Sequence, residues 1–470
     1  MAFVEVAANT LDDAYSIENS VRFNVGDSPH LEITPSSTGD EQKWTFSTWV
    51  KRCGVTSSND LVLIGAFTTN SDNQCGIVLR GTGDNCKLQS FCAISGTANN
   101  GYNFETSQVF RDPAAWYHIV IATDTTQSTN TNGIKFYVNG SQITSFGATT
   151  YNQNINTQFN TASSKMQVGA RASDDAQELD GYLADTYWID GSQLTASDFG
   201  KTDSNGVWIP KKASPTFGTN GFKLEYQQTG TSANASGIGA DTSGNGNHLT
   251  PSNLTALDVT TDTPTNNFCT LNYNHKSTSN VVLSEGNLKA VLDQSTGWQH
   301  AAGTIAVQNG KWYWEAKALS VAATDKTSIG VFQFDTTDVD FVNVTNTDRS
   351  SKGLSGHGAG TGSYAYAQGE IVMCGMDLDN NKVYWGKDGT WFGSLDPAAG
   401  SGSTTQTISN ANFCVPVVGG YGTSSWELNF GVPQFSISSG NADANGYGNF
   451  EFAVPSGVYA LCTKNLAEYG

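Results

Sequence analysis

Short segments of alternating side-chain character, closed by turn-forming residue pairs, are the feature that most restricts how this chain can fold. In residues 43–51, the side chains of Trp44, Phe46 and Val50 fall on one face of an extended strand. A second segment, 133–138, runs into the pair Asn139-Gly140. Such a pair between extended segments favours a hairpin, because both residues tolerate the positive φ of a type I′ turn. The pattern predicts antiparallel β-hairpins.

The strand signals continue in two series. Further strands are predicted at 116–122 and 182–189, and then at 310–317, 328–334, 370–377 and 382–385. Residues 195–200 are predicted to form one short helical turn. Between the two series, Gly, Ser, Thr and Asn dominate, and no strand is predicted from the end of 222–226 to about residue 280.

These signals predict an all-β fold of two antiparallel β-sandwiches in series, joined by a long Gly-, Asn- and Thr-rich connection. The predicted organisation is an N-terminal docking arm at 1–14, a first sandwich at 15–225, a connecting segment at 226–284, a second sandwich at 285–440, and a C-terminal segment packed on the second domain at 441–470.

Composition excludes several functions. Asp and Glu number 43 against 24 Lys and Arg, and the net charge of −19 repels phosphate backbones, so no nucleic acid partner is expected. The apolar runs are strand-sized, well below the roughly 20 residues of a spanning helix, so no membrane span is expected. The N-terminal residues lack the pattern of a signal peptide.

The eight cysteines include no Cys-x-x-Cys pair, which argues against a zinc site. Their even number permits disulfides. In the absence of an export signal, however, the sequence favours free, mostly buried thiols.

The first half resembles the laminin-G-like family of concanavalin-type jelly rolls. The similarity covers about 15–225 and lies in segments 20–27, 44–50, 116–120, 133–140 and 179–189, with 194–199 similar to the short helix of that family. The second half resembles a SPRY (B30.2-like) domain over about 285–440, through segments 310–315, 329–331, 369–379 and 428–435. This resemblance implies protein recognition or assembly through loops such as 335–362.

The whole chain is similar to laminin-G/SPRY proteins of marine tailed bacteriophages, in segments 199–210, 218–222, 262–268 and 460–466. The resemblance implies a virion protein, assembled in the bacterial host cytoplasm, that forms a fibre, knob or capsid decoration and mediates host attachment. Its expected partners are other virion proteins, further copies of the chain (a trimer is the first guess), and a host surface polysaccharide or protein. The alternatives are a lectin for the host envelope and, third, a polysaccharide depolymerase.

Catalytic motifs are not found in the sequence. Jelly-roll glycosidases carry acids in an E-x-D-x-(x)-E pattern, and Glu178-Leu-Asp180 lacks the third acid. The histidines form no H-E-x-x-H motif, and His118 lies in a predicted strand, where a packed or edge position is expected. The sequence therefore predicts a non-enzymatic protein with no catalytic residues.

Three candidate sites remain, and no cofactor is required by any of them. Asp241, Ser243, Asn245 and Asn247 place oxygen-bearing side chains at alternate positions of a glycine-rich loop. They form either a calcium site or a turn that satisfies its own backbone. Tyr102, Tyr151, Trp298 and Trp391 are candidates for a carbohydrate platform, with core packing as the alternative. Phe3, Val4 and Val6 form a short apolar arm predicted to dock on another virion protein.

Overall fold

The computed structural model describes residues 15–54, 60–69, 73–81, 85–94, 97–162, 164–171, 177–277, 279–321, 327–334, 351–355, 366–402, 408 and 410–470. The described chain divides into two compact units between Thr265 and Asn266, the first and the second unit. None of the helices within these ranges has the length and hydropathy needed to cross a membrane.

One sheet of the first unit, sheet A, contains the strand from which the hairpin prediction began. Its strands are β1 (Ser20–Phe23), β3 (Lys43–Arg52), β8 (Tyr117–Asp124), β9 (Ile134–Val138), β10 (Ser141–Ile143), β13 (Gly181–Asp190), β16 (Phe222–Leu224) and β18 (Val259–Thr260). Their order is β10-β9-β8-β3-β13-β1-β18, with β16 on β13, and every pair is antiparallel. A short helix, α1 (Asn130–Gly133), precedes β9.

The second sheet of this unit, sheet B, is also antiparallel. Its strands are β2 (His30–Ile33), β4 (Leu61–Thr69), β5 (Asn73–Arg80), β6 (Lys87–Ile94), β7 (Thr97–Val109), β11 (Phe146–Tyr151), β12 (Lys165–Val168) and β17 (Thr250–Ser252), in the order β11-β7-β6-β5-β4-β12-β2-β17. A separate hairpin joins β14 (Gly200–Thr202) to β15 (Trp208–Pro210). Trp44 and Phe46 of sheet A share one apolar core with Ile64 and Ile77 of sheet B, as expected for two packed layers.

Strand β3 is buried on both of its faces. The alternation predicted from the sequence is confirmed, since Trp44, Phe46 and Val50 lie in the core between the sheets. The opposite face is covered as well, because Trp49 packs with Ile17 and Tyr182 in a second apolar cluster. Sheet A therefore has a covered outer surface, on which buried polar groups must find partners within the protein.

The predicted Asn-Gly hairpin turn is confirmed. Asn139 and Gly140 join β9 to β10 and have φ angles of +46° and +80°. A Cβ atom on Gly140 would lie 2.3 Å from Cε3 of Trp208, so this position requires glycine for its backbone angle and for its lack of a side chain. The predicted helical turn is also present, as a 3₁₀ helix at Ala196–Asp198 with a capping box between Thr195 and Asp198.

The predicted connecting segment, 226–284, is divided between the two units instead of lying between them. Its first part supplies β17, β18 and the 3₁₀ helix Ala256–Asp258 to the first unit, and its side chains Ile238, Leu249 and Leu254 lie in the core between the sheets. The remainder begins the second unit. Burial of these isolated apolar residues holds the segment against the first unit. The sequence prediction of a separate connection was wrong because it relied on alternation, which the segment lacks.

The two ends of the first unit are joined by hydrogen bonds. The hydroxyl of Thr265 accepts a hydrogen bond from the backbone N–H of Ile17 at 3.2 Å and donates one to the carbonyl of Ile17 at 2.8 Å. The start and the end of the described first unit therefore lie side by side.

The second unit is built on one antiparallel sheet, to which one short parallel strand is added. Its strands are β19 (Leu271–Lys276), β20 (Val281–Ser284), β21 (Lys289–Gly303), β22 (Lys311–Ser320), β23 (Thr327–Phe334), β24 (Ser351–Ser355), β25 (Ile371–Asp377), β26 (Lys382–Lys387), β27 (Thr390–Trp391), β28 (Phe413–Asn429) and β29 (Tyr459–Ala460), followed by helix α2 (Thr463–Tyr469). The main order is β19-β21-β28-β22-β25-β26-β27. In addition, β20 pairs with β21, β23 with β28, β24 with β23, and β29 with β22 in parallel.

The long strand β28 joins the two parts of this sheet. One of its edges pairs with β21. The other edge pairs with β23 over Phe413–Gly420 and with β22 over Ser425–Asn429. A register shift against β21 falls between Gln294 and Trp298, and bulges of this kind bend strands. The predicted all-β fold with a second antiparallel sandwich is thereby confirmed.

The C-terminal residues complete the core of the second unit. Phe450, Val458 and Leu461 are buried in its main apolar cluster. The segment is also fixed by Glu315, whose fully buried carboxylate accepts hydrogen bonds from the backbone N–H groups of Glu451 and Phe452, at 3.0 and 2.8 Å.

One cysteine pair departs from the sequence prediction of free thiols. Cys75 of β5 and Cys92 of β6 are direct cross-strand partners and form a disulfide. The remaining cysteines, at 53, 86, 269, 374, 414 and 462, are buried thiols that are not disulfide-bonded, as predicted. Spacing in the sequence does not reveal the pairing, because it depends on the register of two adjacent strands.

Candidate functional site

A cluster of charged and phenolic side chains lies on the outer surface of sheet A. It consists of Tyr15, Asp185, Tyr187, Lys223 and Glu225, and is called the Lys223 cluster. Asp185 lies where the register between β13 and β3 shifts, and its φ of +47° marks the bulge. Lys223 of β16 is the register partner of Tyr187 of β13, so strand pairing brings these residues together.

Lys223 holds the cluster together. Its ammonium lies 3.6 Å from Oδ1 of Asp185 and 2.6 Å from Oε1 of Glu225. The same group lies over the rings of Tyr15 and Tyr187, at 5.4 and 5.2 Å from the ring centroids. The Tyr15 hydroxyl is 3.3 Å from both carboxylates, and the Tyr187 hydroxyl donates to Asp185 at 3.2 Å.

Burial gives the two carboxylates different acidities. Burial raises the pKa of Asp185 to about 6, although the nearby charge of Lys223 opposes the rise. Burial also acts to raise the pKa of Glu225, but the hydrogen bond and charge of Lys223 outweigh it, and the net pKa is lowered. Burial and the two carboxylates raise the pKa of Tyr15. Glu225 is therefore the stable anion of the pair.

A shallow cleft opens beside Glu225. Its enclosed volume is about 90 Å³, and it is lined by Glu225, Tyr226, Gln227, Gln228, Ala235, Ala240, Asp241 and Thr242. Gln227, Gln228 and Thr242 are exposed, whereas Tyr226 and Ala240 are buried. The cleft thus presents amide, hydroxyl and carboxylate groups above an apolar floor, which suits a small ligand with many hydroxyl groups.

The loop predicted as a calcium site forms one wall of this cleft. Both carboxylate oxygens of Asp241 are engaged. Oδ1 accepts hydrogen bonds from the backbone N–H groups of Lys223 and Ser243, and Oδ2 accepts them from the Ser243 hydroxyl and the Asn247 N–H, all at 2.8–2.9 Å. The amides of Asn245 and Asn247 donate to the carbonyl of Gly221, both at 2.9 Å.

These contacts favour the turn interpretation of the loop. Within the ranges that the structure describes, no group of three or more His, Cys, Asp or Glu side chains is arranged around a common point for a metal ion. Calcium at Asp241 remains a prediction from the sequence.

Three residues of the predicted aromatic platform have described side chains, and each of them packs within its own unit. Tyr102 is fully buried between the sheets, so its assignment to a surface site is wrong: its strand turns this side chain inward. Tyr151 is half-buried and donates its hydroxyl to the carbonyls of Thr125 and Gln127, at 3.1 and 2.7 Å. Trp391 is half-buried in the second unit, where it packs edge-on against Tyr313 at 6.3 Å.

Some predicted site residues fall outside the part of the chain that the structure describes. The docking residues Phe3, Val4 and Val6 lie in the undescribed segment 1–14. The side chain of Trp298 is likewise not described. Of the predicted contact loop 335–362, only 351–355 is described, as strand β24.

His118 occupies a packed position, as the sequence predicted. It is buried between the rings of Trp49 and Trp208, at centroid distances of 4.9 and 5.9 Å. The indole N–H of Trp208 donates to Nδ1 at 3.1 Å, which leaves the proton on Nε2, 3.0 Å from the Ser47 hydroxyl. Burial lowers the pKa of His118 from 6.5 to about 3.

The lowered pKa of His118 predicts that the first unit is less stable in mild acid. Because the folded pKa lies below the unfolded value, the unfolded state binds the extra proton, and stability falls as the pH drops from 6.5 towards 3. Between pH 6.5 and 5 we expect the first unit to lose about 1.5–2 kcal/mol. Hydrogen exchange of peptides from β8, corrected for intrinsic rates, measures this. If a His118→Gln variant shows the same dependence of stability on pH, the loss comes from other groups.

Residues 25–199 match the model of the concanavalin A-like lectin/glucanases superfamily, which confirms the jelly-roll prediction for the first unit. Structural similarities include the SPRY domain of human HERC1, with 12% identity over 34% of this chain and 96% of that chain and a TM-score of 0.26. A human SPRY domain shows 12% identity over 34% and 98%, with a TM-score of 0.24. A heptameric SAP-like pentraxin from Limulus polyphemus shows 15% over 39% and 80%, with a TM-score of 0.28.

Similarities as weak as these identify neither a family nor a ligand for the chain. The SPRY-like character of the second unit stays a prediction from sequence motifs. Comparison with curated proteins finds no match.

Proposed function

We propose that the chain is a non-enzymatic attachment protein, and that its first unit binds a neutral carbohydrate in the cleft beside Glu225. The observation that carries the proposal is a small cleft whose lining includes the polar residues Glu225, Gln227, Gln228 and Thr242. Carboxylate, amide and hydroxyl groups are the partners that sugar hydroxyls use. The net charge of −19 disfavours an acidic polysaccharide.

The arrangement of the carboxylates supports a binding role over hydrolysis. Glycoside hydrolysis uses two carboxyl groups that face the bond to be broken. Here Lys223 contacts both Asp185 and Glu225, and only 3% of Asp185 is exposed. A substrate would have to displace the ammonium to reach both acids.

A small, shallow cleft gives weak binding to a single copy. An attachment protein gains strength when many copies act together, because the second contact is made at a high effective concentration. We therefore extend the proposal to a fibre, knob or decoration on a bacteriophage particle. Localisation of the chain on intact particles by labelled antibody tests this extension separately from the ligand.

One double variant tests the cleft directly. We expect Gln227→Ala/Gln228→Ala to weaken glycan binding about tenfold or more, since each lost hydrogen bond contributes about 0.5–1.5 kcal/mol. Binding of a multimerised chain to an array of bacterial surface glycans measures the effect, with release of reducing ends measured alongside. The matched control, Gln108→Ala/Gln142→Ala, changes two exposed glutamines on other strands and should bind as the wild type does. The proposal would be refuted if the wild type bound no glycan on the array, or if it released reducing ends.

A further inference from the structure

A lysine and an aspartate are enclosed together on the outer surface of sheet A, apart from the Lys223 cluster. Lys51 of β3 is 1% exposed and Asp262 is fully buried. The Lys51 ammonium is in direct contact with Oδ2 of Asp262. Charged side chains are rarely buried this completely, and burial of both charges is expensive even when they are paired.

Aromatic rings surround this pair. The Lys51 nitrogen lies 4.9 Å from the ring centroid of Tyr182 and 5.7 Å from that of Trp116. The indole N–H of Trp116 points to the other carboxylate oxygen, Oδ1 of Asp262, at 3.4 Å. The neighbouring charged and titratable groups are Arg22, Cys53 and Asp180, which interact electrostatically with the same pocket.

The backbone of Asp262 is also held in place. Its carbonyl accepts a hydrogen bond from the Ser20 hydroxyl at 2.6 Å, and its N–H donates to the Thr260 hydroxyl at 3.0 Å. The carboxyl carbon is therefore kept next to the lysine nitrogen. Such a fixed approach raises the effective concentration of two reacting groups by orders of magnitude.

We propose that Lys51 and Asp262 join in an isopeptide bond between the lysine nitrogen Nζ and the aspartate carbon Cγ. In the low-dielectric pocket, a proton passes from the ammonium to the carboxylate and leaves two neutral groups. The lone pair of Nζ then forms the N–C bond at Cγ, while the Trp116 N–H stabilises the charge that develops on Oδ1. The bond from Cγ to Oδ2 breaks, and Oδ2 leaves as water with two of the three ammonium protons.

The product removes both buried charges and ties β3 to the end of the first unit. The two residues are 211 positions apart in the chain, so the bond closes most of the unit into one covalent loop. A closed loop of this length restricts the unfolded chain far more than the native one. The bond would protect an attachment protein against proteases, which cleave chains that have opened.

The mass of the intact chain, measured after reduction and denaturation, tests the proposal. We expect the wild type to be lighter than its sequence by one water. Lys51→Arg should have its full sequence mass. The control Lys43→Arg, at a half-buried lysine 3.5 Å from Asp124, should still be lighter by one water. Because the wild-type measurement needs no variant, misfolding of a variant does not affect it.

Peptide mapping locates the bond. Trypsin cannot cleave at a modified lysine, so the linked chain should yield residues 44–52 attached to residues 224–276. A chain without the bond yields free 44–51. Recovery of that free peptide from natively folded wild type at its full sequence mass would overturn the proposal and establish an ordinary ion pair.

Discussion

Replacing Glu315 by alanine is expected to destabilise the second unit by more than about 3 kcal/mol, because hydrogen bonds to charged groups contribute about 1.5–3 kcal/mol each and several are lost together. The carboxylate accepts from the backbone of Glu451 and Phe452, from the Tyr313 hydroxyl at 2.9 Å, and from the Asn429 amide at 3.2 Å. Its removal leaves these donors without their acceptor and a gap in the core. The C-terminal segment should open first.

Urea unfolding followed by labelling of the buried cysteines measures this effect. Cys374 and Cys462 report on the second unit, and Cys53 and Cys86 on the first. As a matched control, Glu468→Ala removes an exposed carboxylate from α2 and should change stability by less than about 0.5 kcal/mol. If Cys374 and Cys462 of Glu315→Ala become labelled at the same urea concentration as in the wild type, the Glu315 carboxylate does not stabilise the second unit.

Replacing Trp188 by alanine is expected to cost the first unit about 3–5 kcal/mol, the usual range for a large aromatic residue removed from a core. Trp188 is fully buried and stacks on Trp44, with ring centroids 5.0 Å apart, and its ring lies 4.8 Å from that of Phe159. Its indole N–H donates to the Asn160 side chain at 2.8 Å. The variant therefore loses packing and leaves a buried acceptor unpaired.

The same labelling experiment detects this change at Cys53 and Cys86. Trp188→Phe should recover part of the loss, since it restores ring packing but not the hydrogen bond to Asn160. Val25→Ala, at a valine 42% exposed, serves as the neutral control. Equal urea midpoints of labelling for Trp188→Ala and Val25→Ala would contradict the expected contribution of the aromatic stack to stability.

Local patterns were enough to predict several strands of sheet A and of the second unit, together with the hairpin turn, whereas the strands of sheet B were not predicted. The hairpin at Asn139-Gly140 depends on two adjacent residues, and the alternation in β3 depends on one segment, so each is visible in the sequence. The inclusion of residues 226–265 in the first unit could not be predicted from the sequence. Ile238, Leu249 and Leu254 enter the core from a segment without periodicity, and only the finished sheets provide the space that receives them.

The candidate site was missed because its parts are distant in the sequence. Tyr15 contacts Asp185 from 170 positions away and Lys223 from 208. Two local signals were present nonetheless. Asp185 is an acidic residue within a strand whose residues are all buried, and Lys223 and Glu225 alternate in the last predicted strand before the connection. A charged side chain in a buried strand requires a partner of opposite charge, and for Asp185 this partner is Lys223.

The hydrogen bonds between Ile17 and Thr265 have a mechanical consequence. Because the main chain enters and leaves the first unit at adjacent positions, tension along the chain is transmitted across this junction and bypasses the two sheets. Pulling on the chain should strain a few contacts near Ile17 and Thr265 while the jelly roll itself carries almost no load.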